Sequence, residues 1–134
     1  MADYLISPPE KPDWSIDADH FTEVLHDRWV VLDFARDADP EGHIDLEADI
    51  LVDEEPVTLV LHRSGDAVGV YGSIRAAGEV ALWVATLVPD DAMLWIYDES
   101  FSHRLTLTED TTVTEIVAAF TDDSLSEKII DLDD

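Results

Sequence analysis

Between residues 44 and 50, apolar and acidic side chains alternate at every position. Successive side chains of a β-strand point to opposite faces of its sheet, so this period of two produces one apolar face and one acidic face. The apolar set is Ile44, Leu46, Ala48 and Ile50, and the acidic set is Asp45, Glu47 and Asp49. The pattern predicts a strand of an antiparallel sheet that is buried on one side and meets water on the other.

Other segments predict the rest of an α+β domain. Helical spacing and end signals indicate one helix that begins at Asp17 and another at Thr112, where Thr112 and Glu115 form a capping box. Runs rich in β-branched and aromatic residues predict further strands over 29–35, 57–62, 67–71, 93–98 and 103–107. We therefore predict a single α+β domain, in which a mainly antiparallel sheet of about five to six strands is packed by two or three helices.

Residues 74–88 are compatible with two structures. Apolar residues recur at helical spacing, Ser73 can cap the first turn and Pro89 can end the helix. In the alternative, the second half of the segment pairs with residues 93–97 as a hairpin, and Gly78 is unfavourable inside a helix. We favour the helix.

The chain divides into three regions. Residues 1–16 contain several prolines, which fix φ and block helix formation, so we expect an extended N-terminal arm. Residues 17–121 contain the helices and strands of the α+β domain. Residues 122–134 are mostly acidic and polar, and we expect a loosely held tail.

The charge of the chain restricts its partners. The 134 residues include 32 Asp and Glu against 7 Lys and Arg, for a formal net charge of −25. Such a surface repels nucleic acid and anionic membranes and attracts basic proteins. The 46% of hydrophobic residues can supply a core, so we expect an acidic folded domain. The acidity could also be an adaptation to high internal salt or a result of genome composition. The first residues lack the features of a signal peptide, and we expect a cytoplasmic protein.

The sequence contains no specific metal or cofactor motif, and we predict neither. Absence of cysteine excludes disulfides and thiol nucleophiles. The acids between Asp37 and Asp45 match the first positions of an EF-hand calcium loop, but Ala48 stands where that loop needs a bidentate glutamate. The five histidines show no local pair with the spacing of zinc ligands.

One short segment contains the residue types of a hydrolase triad. Asp98, Ser100 and His103 lie close together in sequence, without the GxSxG turn of many serine hydrolases. A polar turn explains them better, and a small hydrolase with a site near 98–103 is an alternative function.

The acidic strand face and its flanks are the basis of our functional hypothesis. A rigid row of carboxylates can attract and dock a basic surface. The candidate partner-binding residues are Asp37, Asp39, Glu41, Asp45, Glu47, Asp49, Asp53, Glu54 and Glu55. We predict a non-catalytic protein-binding domain, most concretely an immunity- or inhibitor-type binder of a basic toxin, nuclease or nucleic-acid-binding protein. Charged strands also deter aggregation between sheet edges, which is the simpler explanation of the same residues.

The second functional alternative is self-association. Leu82 and Trp83 make the segment 80–88 apolar on most sides. A helix of this kind is either well covered or in contact with another chain. The chain could therefore be a structural or adaptor subunit that forms a homodimer through these two residues.

Overall fold

The computed structural model describes residues 3–36, 42–100, 103–121 and 127–128. In these ranges the chain forms three helices and one antiparallel sheet, which confirms the predicted α+β class. The helices are α1 (Ala18–Arg28), α2 (Ile74–Ala85) and α3 (Val113–Thr121). The strands are β1 (Tyr4–Ser7), β2 (Val30–Arg36), β3 (Ile44–Val52), β4 (Glu55–His62), β5 (Val68–Tyr71), β6 (Leu94–Asp98), β7 (His103–Leu107) and β8 (Glu127–Lys128).

The first strand of the chain lies inside the sheet. The strand order is β2-β3-β4-β5-β1-β6-β7-β8. Leu5 of β1 lies opposite Gly69 of β5 on one side and opposite Tyr97 of β6 on the other. The N-terminal segment that we expected as an extended arm thus contributes a strand, and this strand and β8 bring the sheet above the predicted five to six strands. Within the predicted tail, 122–134, only β8 is described, and it pairs with β7.

All three helices pack on the same face of the sheet. Leu25 of α1, Val80 and Val84 of α2 and Ile116 of α3 belong to one core cluster with the inward side chains of the strands. The strand residues of this cluster are Ile6, Leu46, Ala48, Ile50, Val52, Val57, Leu59, Leu61, Val68, Val70, Leu94, Ile96 and Leu107. We call the opposite side of the sheet the open face, because no helix of the described ranges packs on it. No helix in these ranges combines the length and apolarity that spanning a membrane requires.

The segment 74–88 is helical from Ile74 to Ala85, which confirms the favoured prediction. The Ser73 hydroxyl oxygen accepts a hydrogen bond from the Ala76 N–H at 3.2 Å and so caps the first turn. Gly78, the residue that favoured a hairpin, lies where α2 meets α3. A β-carbon at this position would lie 3.4 Å from side-chain carbons of Val113 and Ile116, at the limit of ordinary van der Waals contact, so the two helices pack closely at this glycine.

The predicted N-terminal caps of α1 and α3 are also present. The Asp17 carboxylate accepts a hydrogen bond from the His20 N–H at 2.9 Å at the start of α1. At the start of α3, the Glu115 N–H donates to the Thr112 hydroxyl at 3.1 Å, and the Thr112 N–H donates to the Glu115 carboxylate at 3.0 Å. This reciprocal pair is a capping box.

The turn between β3 and β4 contains two residues with positive φ. Val52 pairs with Glu55, which leaves Asp53 and Glu54 as the two-residue connection, with φ of 50° and 70°. Hairpin turns of this length favour Asn-Gly, because side chains disfavour the left-handed region. Glu54 is therefore a strained position.

Replacement of Glu54 by glycine should stabilise the fold. We expect Glu54→Gly to raise the free energy of unfolding by about 0.5–1 kcal/mol. Glycine adopts positive φ without a β-carbon clash, and this gain is partly offset because glycine loses more chain entropy on folding. Urea unfolding followed by circular dichroism measures the change. Glu54→Gln, which removes the charge but keeps the β-carbon, is the control. Equal stability of the two variants would contradict the assignment of strain.

Candidate protein-binding surface

The edge strand β2 and its neighbour β3 bring three acids together on the open face. The register places Asp33 directly opposite Asp49 and Ala35 opposite Glu47. A small cleft of about 30 Å³ lies between these strands, and its lining includes all three acids and Phe34. We call Asp33, Glu47 and Asp49 the acidic surface. Asp33 was not among the residues that we predicted, because its position opposite Asp49 depends on strand register.

The acidic surface carries an electrostatic cost within the chain. In the described ranges, no arginine or lysine forms an ion pair with any of its three carboxylates. Asp49 accepts a hydrogen bond from the Thr58 hydroxyl at 2.6 Å, and Asp33 accepts one from the Phe34 N–H at 2.9 Å. Like charges directly opposite each other on neighbouring strands are destabilising. A cationic group from another molecule would remove this cost.

Asp45 does not continue the row of acids that we expected. An irregularity in the β3–β4 register between Ile44 and Leu46 places Asp45 at a bulge. Its carboxylate lies 3.7 Å from a guanidinium nitrogen of Arg36 and 4.0 Å from one of Arg63. Arg63 also donates to the Ile44 carbonyl oxygen at 3.0 Å. Asp45 is therefore neutralised within its own chain, in contrast to Glu47 and Asp49.

Three of the predicted binding residues cannot be placed in this surface. Asp37, Asp39 and Glu41 lie outside the described residues, together with the first half of the EF-hand-like segment. Among the residues that the structure describes, no group of three or more His, Asp or Glu side chains is positioned to hold a metal ion.

The predicted binding residues of the β3–β4 turn make contacts within the fold. The Glu55 carboxylate accepts hydrogen bonds from the N–H of Ser73 at 2.8 Å and from its hydroxyl at 2.7 Å, at the N-terminus of α2. Asp53 is hydrogen-bonded to Glu79 of α2, and burial together with this bond and the charge of Asp53 raises the pKa of Glu79. Glu54 is exposed. Sequence reasoning missed Glu79, which is far from the turn along the chain.

The other half of the open face is aromatic. Trp95 and Tyr97 of β6 alternate with the buried Leu94 and Ile96, and so lie on the open face. Their rings meet edge to face with centroids 5.7 Å apart. The guanidinium of Arg104 lies 4.0 Å from the centroid of the Trp95 ring, a cation–π contact. The open face thus has acids at one end and aromatic residues with an arginine at the other.

A groove of about 470 Å³ lies at one end of the open face. Its lining includes the Pro-rich segment 8–11, His62 at the end of β4, and Ser64 and Asp66 of the β4–β5 connection. Burial lowers the pKa of His62, and the charge of Asp66 partly offsets this effect. The Ser64 hydroxyl donates to the Asp66 carboxylate at 2.5 Å. This serine is therefore engaged by a carboxylate of its own turn.

The segment of the hydrolase alternative contains a paired aspartate and histidine. The Nδ1 atom of His103 lies 3.0 Å from the Asp98 carboxylate, which also accepts the His103 backbone N–H at 3.2 Å. These two bonds close the connection between β6 and β7. Ser100 is exposed, and residues 101–102 lie outside the described residues. A hydrolytic activity at this place stays a prediction.

The residues of the self-association alternative lie on the helix side of the sheet. Leu82 and Trp83 are half-buried. The Trp83 ring packs edge to face against Phe21 at 5.1 Å and against Trp29 at 5.0 Å between centroids. Trp83 therefore joins α2 to α1 and to Trp29, the residue that follows α1. Self-association through Leu82 and Trp83 stays a prediction.

Comparisons of the chain with protein families, with curated proteins and with solved structures give no match.

The pairing of Asp53 with Glu79 predicts a pH-dependent stability. Because the pKa of Glu79 is raised on folding, its contribution favours the folded state at low pH and is lost as pH rises through the folded pKa. We expect Glu79→Gln, which imitates the protonated side chain, to raise the urea midpoint at pH 7. At pH 3, where Glu79 is protonated in both states, the difference should disappear. Glu23→Gln, on the exposed surface of α1, is the control. A gain of equal size at both pH values would contradict this account.

Proposed function

We propose that this chain is a non-catalytic protein-binding domain whose acidic surface binds a basic protein. The observation that carries the proposal is the pair formed by Asp33 and Asp49, which lie directly opposite each other without an ion-pair partner in the described ranges. Glu47 adds a third, exposed carboxylate beside them. A partner that supplies cationic side chains gains these contacts and also removes the repulsion between the two aspartates.

The charge of the whole chain supports the same function. A net charge of −25 attracts basic proteins over long range and raises their association rates, and the acidic surface provides a local site for the final contact. Because no helix of the described ranges covers the open face, the carboxylates are accessible to a partner. Asp45 and Asp19 contrast with them, since each has an arginine within 4 Å.

The geometry of β2 favours binding through side chains. The β2–β3 register is irregular between Val31 and Asp33, and the Asp33 carboxylate accepts the Phe34 N–H. Bulges and charged residues of this kind hinder the addition of a further strand at a sheet edge. We therefore expect the partner to contact the carboxylates of the open face rather than to extend the sheet.

The most concrete partner is a basic toxin, nuclease or other nucleic-acid-binding protein. Proteins of this class present arginine and lysine side chains that bind phosphate groups. Carboxylates held on a rigid sheet can pair with the same cations and compete with the nucleic acid. In this case the chain is an immunity- or inhibitor-type protein.

Charge reversal on the acidic surface tests the proposal. The bait proteins are the unaltered chain, the variant Asp33→Arg/Asp49→Arg, and a control of the same net charge, Glu23→Arg/Asp27→Arg, on the exposed face of α1. Each is used for affinity capture from a lysate of the source organism at about 0.15 M and about 1 M salt, where the Debye lengths are about 8 Å and 3 Å. We expect the unaltered chain and the control to retain the same basic protein at low salt and to release it at high salt.

The acidic-surface variant should retain at least about tenfold less of that protein, because both opposed carboxylates are lost and two like charges replace them. Equal retention by the two variants would contradict the proposal, since net charge alone would then explain binding. Failure of the unaltered chain to retain any basic protein would contradict it as well. Circular dichroism confirms that each bait is folded.

A further inference from the structure

A row of apolar residues crosses the open face at the β2 end of the sheet. Val30 of β2 pairs with Leu51 of β3, and Leu51 pairs with Pro56 of β4. Leu51 lies between the buried Ile50 and Val52, so its side chain points to the open face. Residues directly opposite each other on neighbouring strands share a face. Val30, Leu51 and Pro56 therefore lie together on the side of the sheet that no helix of the described ranges covers.

The edge strand beside this row is exposed to water through its apolar side chains. Val30 and Leu32 are 61% and 56% exposed, more than the other large hydrophobic residues of the described ranges. Leu32 is the extra residue at the irregularity of the β2–β3 register, next to Asp33 in the chain. We call Val30, Leu32, Leu51 and Pro56 the apolar strip. Single exposed apolar residues are ordinary, whereas neighbouring ones at a sheet edge favour contact with another molecule.

The apolar strip lies beside the acidic surface. Leu51 and Asp49 are two residues apart along β3 and point to the same face, so they are separated by about 7 Å. Leu32 and Asp33 are neighbours along β2. In the described part of the chain, the core cluster and the residues packed against it include no member of the strip. The fold thus leaves an apolar row and an opposed pair of carboxylates next to each other and open to a partner.

We propose that the apolar strip and the acidic surface form one binding site. Its occupant is a segment of the basic partner in which an apolar side chain lies about 7 Å from an arginine or lysine, the separation of Leu51 and Asp49. This inference rests on the proposed function and specifies which basic segments the surface selects. The cation of the segment pairs with Asp33 and Asp49, and the neighbouring apolar side chain covers the strip.

The two halves of the site contribute in different ways. Opposite charges raise the rate of association and orient the partner, but salt screens them. Removal of apolar area from water stabilises the complex after it has formed, and it does not depend on charge. Interfaces commonly combine an apolar centre with polar groups around it. A site of this composition binds a basic segment with apolar neighbours more tightly than an equally charged segment that is polar throughout.

Two synthetic peptides of equal charge test this selectivity. Both have arginine at every fourth position and serine elsewhere, and in one of them leucine replaces the serine midway between arginines. Leucine and arginine then point to the same side of an extended peptide, about 7 Å apart. Fluorescence anisotropy of the labelled peptides gives the dissociation constants, with protein from about 1 µM to about 1 mM at about 0.05 M salt, where the Debye length is about 14 Å.

The unaltered chain should bind the leucine peptide at least about fivefold more tightly than the serine peptide, because the strip buries leucine area. Val30→Ser/Leu32→Ser should abolish this preference and leave the affinity for the serine peptide unchanged. Met93→Ser, which removes a 53% exposed apolar side chain outside the strip, is the matched control and should keep the preference. Asp33→Arg/Asp49→Arg should weaken the binding of both peptides. Circular dichroism confirms the fold of each variant, and Val30→Thr/Leu32→Thr replaces the serine variant if that variant does not fold.

The leucine preference decides this inference, and the acidic variant decides the proposed function. Equal affinity for the two peptides, or binding of neither, would overturn the inference. A preference that Val30→Ser/Leu32→Ser retains would overturn it too, because leucine would then bind elsewhere. In each of these cases the proposed function stands if Asp33→Arg/Asp49→Arg no longer captures the basic protein that the unaltered chain retains.

Two further outcomes would also contradict the inference. If Asp33→Arg/Asp49→Arg binds both peptides as tightly as the unaltered chain does, the cation does not bind at the acidic surface, and the proposed function fails with the inference. Sedimentation equilibrium at the same protein concentrations tests for a second copy of the chain on the strip. A dimer that Val30→Ser/Leu32→Ser abolishes would show that the occupant is a second copy rather than a basic segment.

Discussion

The structure depends on the burial of one side of the sheet. Apolar side chains from six strands and three helices form a single core cluster on that side, and none of the described charged residues is buried. Burial of apolar area is the main favourable contribution to folding, and here it must also outweigh the mutual repulsion of a chain with charge −25. Alternation along the strands makes this possible, because it directs the apolar side chains to the helices and leaves the acids, together with Trp95 and Tyr97, on the open face.

Different acids therefore have different roles. Glu55 bonds to the start of α2, Asp45 is neutralised by arginines, and Asp53 pairs with Glu79. The contacts of Glu55 and Asp45 support the fold, whereas the Asp53–Glu79 pair weakens it once Glu79 is ionised. Asp33 and Asp49 have no such cation in the described ranges. Asp33, Glu47 and Asp49 thus form a small surface at one end of the sheet that has no ion pair within the described part of the chain.

Local patterns in the sequence predicted a large part of this fold. Helix caps at Asp17 and Thr112 and the alternation around Glu47 depend on neighbouring residues, so they could be recognised directly. The place of β1 inside the sheet could not, because four residues before a Pro-rich segment carry no signal for distant pairing. Asp33 lies opposite Asp49 because the β2–β3 register shifts between Val31 and Asp33, and no local pattern predicts such a shift. Arg104 lies on the same face as the acids because of the registers that connect β3 to β7, and these involve strands that are far apart in the sequence.

Backbone amide NMR of the chain, with and without the basic protein recovered by capture, tests the central claim that the open face is the binding side. The account predicts that the largest shift changes occur in β2 and β3 around Asp33 and Asp49, with little change on the exposed face of α1. The unaltered chain is compared with Asp33→Arg/Asp49→Arg, in which these changes should be lost. Shift changes concentrated on α1, or around residues 98–103, would show that the partner binds elsewhere and would contradict the account.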